Sequence, residues 1–351
     1  MNVVFLYADR QKEWNSSHWR SYLPSTFLRR FENCETEMMP IDDLLNPQTI
    51  PVLEKADIIY IERLVSNQIY TSLEYWRLRG KKIIFDMDDS YKNIPPGFGA
   101  YDFWINGVMG KGETRFTIPY APIEQLDWYT KLMDAISSPS KLILDDWKEF
   151  NENRLWIPNF IDQDLYQQIP KREGKITIGW GGGANHFPCW YDSGLLTAFR
   201  RVYVKYKSRI QLMIVSRDEF LAYKLREFKP IVVKADRLTY PGEMFKFDIG
   251  LAPGAGQYDR RRSWLKIAEY SASAIPWLAS ELDPYKEHKI NGSMLVENKP
   301  REWEEALSEM IENYPAHRAT MKKHYPDAMK MFSIQENHKF LFDQFHSVLE
   351  Q

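Results

Sequence analysis

Phe247-Asp248-Ile249-Gly250-Leu251-Ala252-Pro253, then Tyr258-Asp259-Arg260-Arg261-Arg262-Ser263-Trp264-Leu265-Lys266-Ile267-Ala268-Glu269-Tyr270, then Ala274-Ile275-Pro276-Trp277-Leu278-Ala279-Ser280, reads as strand, charged loop, helix, strand. Short apolar runs separated by a stretch of helical period are the signature of a parallel α/β sheet. Working outward, the same alternation predicts strands at 176–180, 211–215, 231–233, 247–252, 275–279 and 294–296, with helices at 192–205, 218–227 and 263–273. Further upstream a first series shows strands at 3–8, 57–61, 82–87, 135–137 and 155–157, with helices at 66–79 and 123–133; Pro122 suits the first turn of the latter. Residues 163–174 are polar, contain Pro170 and read as a linker. Two successive α/β series joined by one linker predict an α/β chain of two doubly wound domains.

Length agrees. A single core stops growing efficiently beyond roughly 250–300 residues, and this chain has 351. Its hydrophobic share of 44% and charged share of 27% are ordinary for a globular protein. The formal charge of −2 argues against nucleic acid as the main partner, because a binder of that kind must neutralise phosphates. Cys34 and Cys189 lie far apart without metal-ligand spacing, so neither a disulfide framework nor a structural zinc site is expected. The run Val3-Val4-Phe5-Leu6-Tyr7-Ala8 is too short and lacks the basic leader of a signal peptide, and no apolar stretch approaches membrane-spanning length. A cytoplasmic, soluble protein is the expectation.

In open parallel sheets ligands bind beyond the carboxyl ends of the strands. Two such ends stand out in the second half. Ser263 reads as an N-cap, and a helix amino terminus offers N–H groups and a positive dipole end to a diphosphate. Arg260, Arg261 and Arg262 could add bidentate contacts to phosphate oxygens. Lys266 and Glu269 share a helix face, the lysine suited to phosphate and the carboxylate to ribose hydroxyls. The same residues also read as a solvated basic loop and an exposed i,i+3 pair. The second end is Gly181-Gly182-Gly183-Ala184-Asn185-His186, where missing Cβ atoms would let backbone approach a phosphate or sugar; alone, the run reads equally as a flexible turn.

In the first half, Lys81-Lys82-Ile83-Ile84-Phe85-Asp86-Met87-Asp88-Asp89 puts three acids at a strand end, where they could hold a divalent metal, supply a base, or bind acceptor hydroxyls. Capping by one acid with solvation of the others is the plainer alternative. Residues 95–104, rich in Gly, Pro and aromatics, read as a long loop that could contact a substrate or pack on the surface. Trp19, Arg20, Tyr22, Phe27, Arg29, Arg30 and Phe31 mix bases and aromatics, and read best as a first helix with its aromatics turned inward.

These segments resemble the retaining GT-B glycosyltransferases, glycosyltransferase family four in particular, whose donor signature is roughly "DIGLAPL … KS.LK.LEYAA.GIP.VAS". The match runs through Asp248–Pro253, Arg262-Ser263, Leu265-Lys266, Glu269-Tyr270 and 275–280. The stretch 175–186 is similar to "IGW.G...H", and 211–216 to its "L.IVG" continuation, with Ser216 where glycine is usual. "DIIYIERL", "GKKIIFDMDD" and Trp156-Ile157-Pro158-Asn159-Phe160-Ile161-Asp162 resemble first-domain landmarks. The resemblance extends from about residue 55 to 298.

The resemblance implies a GT-B fold, two Rossmann-like domains facing a central cleft. It puts acceptor binding in 1–165, nucleotide-sugar donor binding in 172–330, and a last helix, 331–351, packed back on the first domain. It implies transfer of a sugar from a nucleotide donor, a UDP- or GDP-sugar, to an acceptor hydroxyl with retention, without tightly bound cofactor or metal. Glu269 would bind ribose. Lys266 with Arg260, Arg261, Arg262 and Ser263 would bind diphosphate, with Gly181, Gly182, Gly183, His186 and Ser216 completing the donor site. Asp86, Asp88 and Asp89 would bind acceptor, and Asp88, Lys266 and Arg262 would serve catalysis. One departure stands out: Arg261 occupies the position eight before Glu269, where many members have a first, sugar-contacting glutamate. A transferase acting on a modified DNA base, or a non-catalytic binder of sugar nucleotides or saccharides, are the alternatives.

Overall fold

The computed structural model describes residues 1–9, 15–63, 66–110, 112–167, 173–183, 186–216, 219–236 and 238–351. They fall into two units: Met1–Asn159 with Arg261–Ser263 and Asn337–Gln351, and Phe160–Arg260 with Trp264–Glu336.

In the first unit, β1 (Asn2–Tyr7), β2 (Glu35–Pro40), β3 (Ile58–Glu62), β4 (Lys82–Asp86), β5 (Ala135–Ser138) and β6 (Arg154–Trp156) form one parallel sheet in the order β2-β1-β3-β4-β5-β6. The inner strands bury nearly every residue, as a sheet covered on both faces requires. Strand β2 was missed by the periodicity reading. It lies at the sheet edge and carries few apolar residues: Thr36 and Met39, three apart, are buried while Glu35 and Glu37 face solvent. Helix α1 (Asn67–Leu78) starts at Ser66, whose side chain caps Ile69 N–H, and α2 (Pro122–Leu132) starts at the proline.

The basic-aromatic segment turns inward in part: Phe27 is buried, whereas Trp19, Tyr22 and Phe31 are half-buried. Arg20, on the turn His18–Tyr22, is fully buried and grips Asp86 through two hydrogen bonds of 3.0 and 2.6 Å. Its remaining donors go to the Ile157 carbonyl, to Asn159 Oδ1 at 2.9 Å and to the Tyr60 hydroxyl at 3.4 Å. A buried pair of this kind costs about 3–5 kcal/mol to break from one side, because the partner is left charged and dry. Phe27 is buried, with the Arg30 guanidinium 3.8 Å from its ring centre.

The second unit repeats the plan. Strands β7 (Ile176–Gly181), β8 (Ile210–Val215), β9 (Ile231–Val233), β10 (Ile249–Ala252), β11 (Trp277–Ser280) and β12 (Met294–Val296) run parallel in the order β9-β8-β7-β10-β11-β12. Helix α3 (Leu195–Tyr206) packs Phe199 and Val202 into a core shared with Trp180, Trp190 and Trp303. Two glycines of the quoted stretches serve packing: a Cβ on Gly179 would meet the Phe247 ring at 2.0 Å, and one on Gly250 the Tyr270 ring at 2.6 Å. Strand β10 starts at Ile249 because the Phe247 N–H closes the preceding turn on the Met244 carbonyl. Likewise β11 starts only at Trp277, since Pro276 offers no N–H to the ladder and Ala274 has a positive φ of 52°. The predicted helix at 218–227 is a helix over Glu219–Lys224 followed by a turn, Arg226–Phe228; its expected first residue, Asp218, and Pro170 of the linker lie outside the described residues.

Helix α4 (Leu265–Ala272) follows β10. Its N-cap is Trp264, with no side-chain cap, so Ser263 is not the cap expected of it. Ser263 Oγ instead accepts a hydrogen bond from Asn159 Nδ2 at 3.1 Å. The expected charged loop is partly helical, Gly256–Arg260 forming a short helix. The last helix, α5 (Ile334–Leu349), belongs to the first unit from Asn337 on. There Phe345 packs 5.6 Å from Phe5 and 5.5 Å from Tyr60, and Phe342 lies 4.3 Å from Phe31, ring centre to ring centre.

Candidate active site

In the second unit the chain crosses to β8 on one side of β7 and reaches β10 on the other, so the strand order reverses between β7 and β10. A crevice outside the carboxyl ends of such a pair is where open α/β sheets bind ligands. The end of β7 is Gly181-Gly182-Gly183. Lys266, on the first turn of α4, reaches it: Nζ donates to the Gly181 carbonyl at 2.5 Å. One turn on, Glu269 is buried, 5% exposed, and its Oε1 accepts a hydrogen bond from Tyr166 Oη at 2.9 Å. Burial raises the Glu269 carboxyl to about 7, against the lowering effects of that bond and of the Lys266 charge. Tyr240 completes the cluster: a Cβ on Gly181 would meet its hydroxyl at 2.3 Å. Burial and the neighbouring Glu269 hold the Tyr166 and Tyr240 phenols neutral.

The glycine run is less open to phosphate than its composition suggests. Gly181 leaves room for Tyr240, and the Gly182 N–H donates to the Val215 carbonyl at 3.2 Å. At Gly183 a Cβ would meet nothing within 4 Å, and its carbonyl accepts from His186 N–H at 3.0 Å. Ser216, buried at the end of β8, donates its N–H to Val233. After β10, Gly254 is pinned from two sides, its N–H donating to Ser280 Oγ at 2.9 Å and its carbonyl accepting from Asn298 Nδ2 at 2.8 Å.

The arginines separate. Arg260 forms an exposed pair with Asp283 at 2.7 Å. Arg261 makes a two-pronged pair with Asp146 at 2.7 and 3.0 Å, so its guanidinium is matched by a carboxylate of the first unit, to which residues 261–263 belong. Each of the two arginines thus faces a carboxylate, Arg260 from the surface and Arg261 from a half-buried position. Arg262 is partly exposed.

The three acids after β4 separate too. Asp86 is fully buried on Arg20 and accepts a further hydrogen bond from Ser137 at 2.6 Å. It anchors the sheet and has no surface for an acceptor. Asp88 accepts from Arg63 at 2.9 Å and from the Tyr91 hydroxyl, while Arg63 also pairs with Asp9. Burial opposes ionisation of Asp88, but Arg63 and hydrogen bonds from Ser16 and Tyr91 outweigh it and hold the carboxyl below its ordinary range. Such a carboxylate is a weak base. Arg63 itself has a positive φ of 32°, a strained conformation of the kind that gathers at functional sites. The aromatic loop meets this cluster, Trp104 stacking 4.0 Å from Tyr91. Asp89 Oδ1 accepts from Ser90 N–H at 2.9 Å. Next to these groups, Glu62 is 1% exposed and takes hydrogen bonds from Ser17, Ser21 and Ala8 N–H; burial lifts it to about 7.

Sequence reading missed Tyr166, Tyr240, Arg63 and Glu62. Tyr166 and Tyr240 sit in stretches without periodicity, and only the fold brings them to Glu269. Arg63 and Glu62 did carry a signal, charged residues closing a buried strand. Among the described residues no cluster of three or more His, Cys, Asp or Glu side chains could hold a metal ion, and no helix is long and apolar enough to cross a membrane. Neither cysteine is in a disulfide.

No family model matches the sequence, and no curated protein matches it. Solved structures do. The chain is similar to Anabaena HepE in complex with UDP and glucose, with a TM-score of 0.67 at 12% identity over 99% of this chain and 100% of that one. Sucrose-phosphate synthase from Thermosynechococcus elongatus gives a TM-score of 0.64 at 11% identity, covering 99% of both chains. A Listeria monocytogenes protein described as a UDP-N-acetylglucosamine 2-epimerase gives 0.55 at 10% identity over 96% of both. These likenesses and the two parallel sheets agree on the architecture the resemblance implied: the chain has the GT-B fold, built of two Rossmann-like units.

Proposed function

We propose that this protein is a glycosyltransferase that moves a sugar from a nucleoside-diphosphate donor to an acceptor hydroxyl with retention of configuration. The observation that carries the reading is the joint placement of Lys266 and Glu269 on one face of α4, beside the Gly181 carbonyl, where β7 and β10 diverge. A similar fold holding UDP and glucose in HepE supports it. In this reading the second unit binds a UDP- or GDP-sugar. Glu269 accepts from the ribose hydroxyls. Lys266, with Arg262 and the start of α4, meets the diphosphate, whose negative charge grows as the glycosidic bond breaks. Contacts that strengthen in that transition state lower the barrier. The first unit takes the acceptor, with Asp88 and Asp89 as hydrogen-bond acceptors for its hydroxyls. The low basicity of Asp88 suits orientation of a hydroxyl better than removal of its proton.

The test is product analysis by proton NMR after incubation with UDP- and GDP-sugars and mixed saccharide acceptors. The expected product is a glycoside of the donor's own anomeric configuration, with release of nucleoside diphosphate. An inverted anomer would overturn retention. Conversion of UDP-N-acetylglucosamine to its 2-epimer without an acceptor would overturn transfer itself.

A further inference from the structure

Glu269 lies in a pocket of phenols. Tyr166, from the segment before β7, donates to its Oε1 at 2.9 Å; Tyr240 comes from the short helix Tyr240–Met244, and Tyr270 and Lys266 from α4 itself. Of these groups only Lys266 is cationic, and its amine is turned to the Gly181 carbonyl. No described residue donates a hydrogen bond to Oε2. A donor on one oxygen restrains where a buried carboxylate points and leaves the other oxygen to accept.

We infer that Tyr166 is a positioning residue of the donor site, its hydroxyl orienting the Glu269 carboxylate so that the other oxygen faces a ribose hydroxyl. The inference rests on the donor reading above. Tyr166 touches no reacting atom; it acts through Glu269. Removing its hydroxyl leaves burial unopposed on that side, so the carboxyl takes up a proton more readily and loses its role as an acceptor at neutral pH.

The test is calorimetric binding of UDP or GDP, whichever the native chain binds more tightly, from about pH 5.5 to about pH 9. Native affinity should rise as pH passes through about 7. Tyr166→Phe should weaken binding by about tenfold or more at neutral pH and move the midpoint upward, so that affinity recovers in alkaline buffer. Glu269→Gln should bind weakly with no such pH dependence, and adding Tyr166→Phe to it should change affinity by less than about twofold, because coupled residues lose their effect together. A Tyr166→Phe profile parallel to the native one, or equal loss in both backgrounds, would overturn the positioning role. If Glu269→Gln alone binds as the native chain does at every pH, the ribose assignment fails, and the role of Tyr166 with it.

Discussion

Glu62 and Glu269 are both carboxyls carried into the protein interior, and burial lifts each to about 7 from 4.5. Between those values the native state keeps a proton that the unfolded chain has released. Stability therefore falls as pH rises through that window and levels off above it. For Glu62 the slope amounts to on the order of 2–3 kcal/mol. Glu62→Gln, which keeps the shape and cannot titrate, is expected to remove that part and leave the contribution of Glu269. Urea unfolding at about pH 5 and about pH 8 checks this: the difference between the two should shrink in the variant, and an unchanged difference would mean that Glu62 is already ionised. At this scale the sequence was only partly legible. Asp86, Asp88 and Asp89 look alike as letters, yet Asp86 is the buried end of a strand on Arg20 whereas Asp88 sits between Arg63 and Tyr91. Which acid meets which base is decided by residues 66 and 25 positions away, and no local pattern carries that.

Among the elements, the end of β7 separates glycines of two kinds. At Gly181 a Cβ would press on Tyr240 at 2.3 Å, whereas at Gly183 it would point into open space. Gly181→Ala is expected to cost about 1–3 kcal/mol of stability through overpacking, and Gly183→Ala less than about 0.5 kcal/mol, while the latter weakens nucleotide binding if donor approaches that turn. Thermal unfolding with and without nucleoside diphosphate measures both effects; equal destabilisation by the two would contradict the distinction. Most strands were legible within one or two residues because their inner faces are continuous Val, Ile and Leu runs. Strand β2 was not, since its two buried residues, Thr36 and Met39, lie three apart and show no period of two. The helix Gly256–Arg260 was not either, because five residues with one aromatic, Tyr258, are too few to show a period. Ser263 had the right chemistry for a cap, but Asn159 holds its hydroxyl and the helix starts one residue later.

Over the whole molecule, two successive strand–helix series announced two sheets, and the point where the order of the second reverses marks the same Lys266 and Glu269 that the sequence singled out. What the chain order could not announce is that Tyr166, from an aperiodic segment, reaches Glu269 across 103 positions, or that Arg261 pairs with Asp146 across 115. Central to the proposed mechanism is the contact of Lys266 with the leaving diphosphate. It is tested most directly by the turnover of nucleotide-sugar at saturating donor, native chain against Lys266→Ala, with folding of the variant verified by circular dichroism. A loss of more than about tenfold is expected, a barrier change above about 1.4 kcal/mol; turnover near the native rate in a folded Lys266→Ala would put the diphosphate elsewhere and contradict that role.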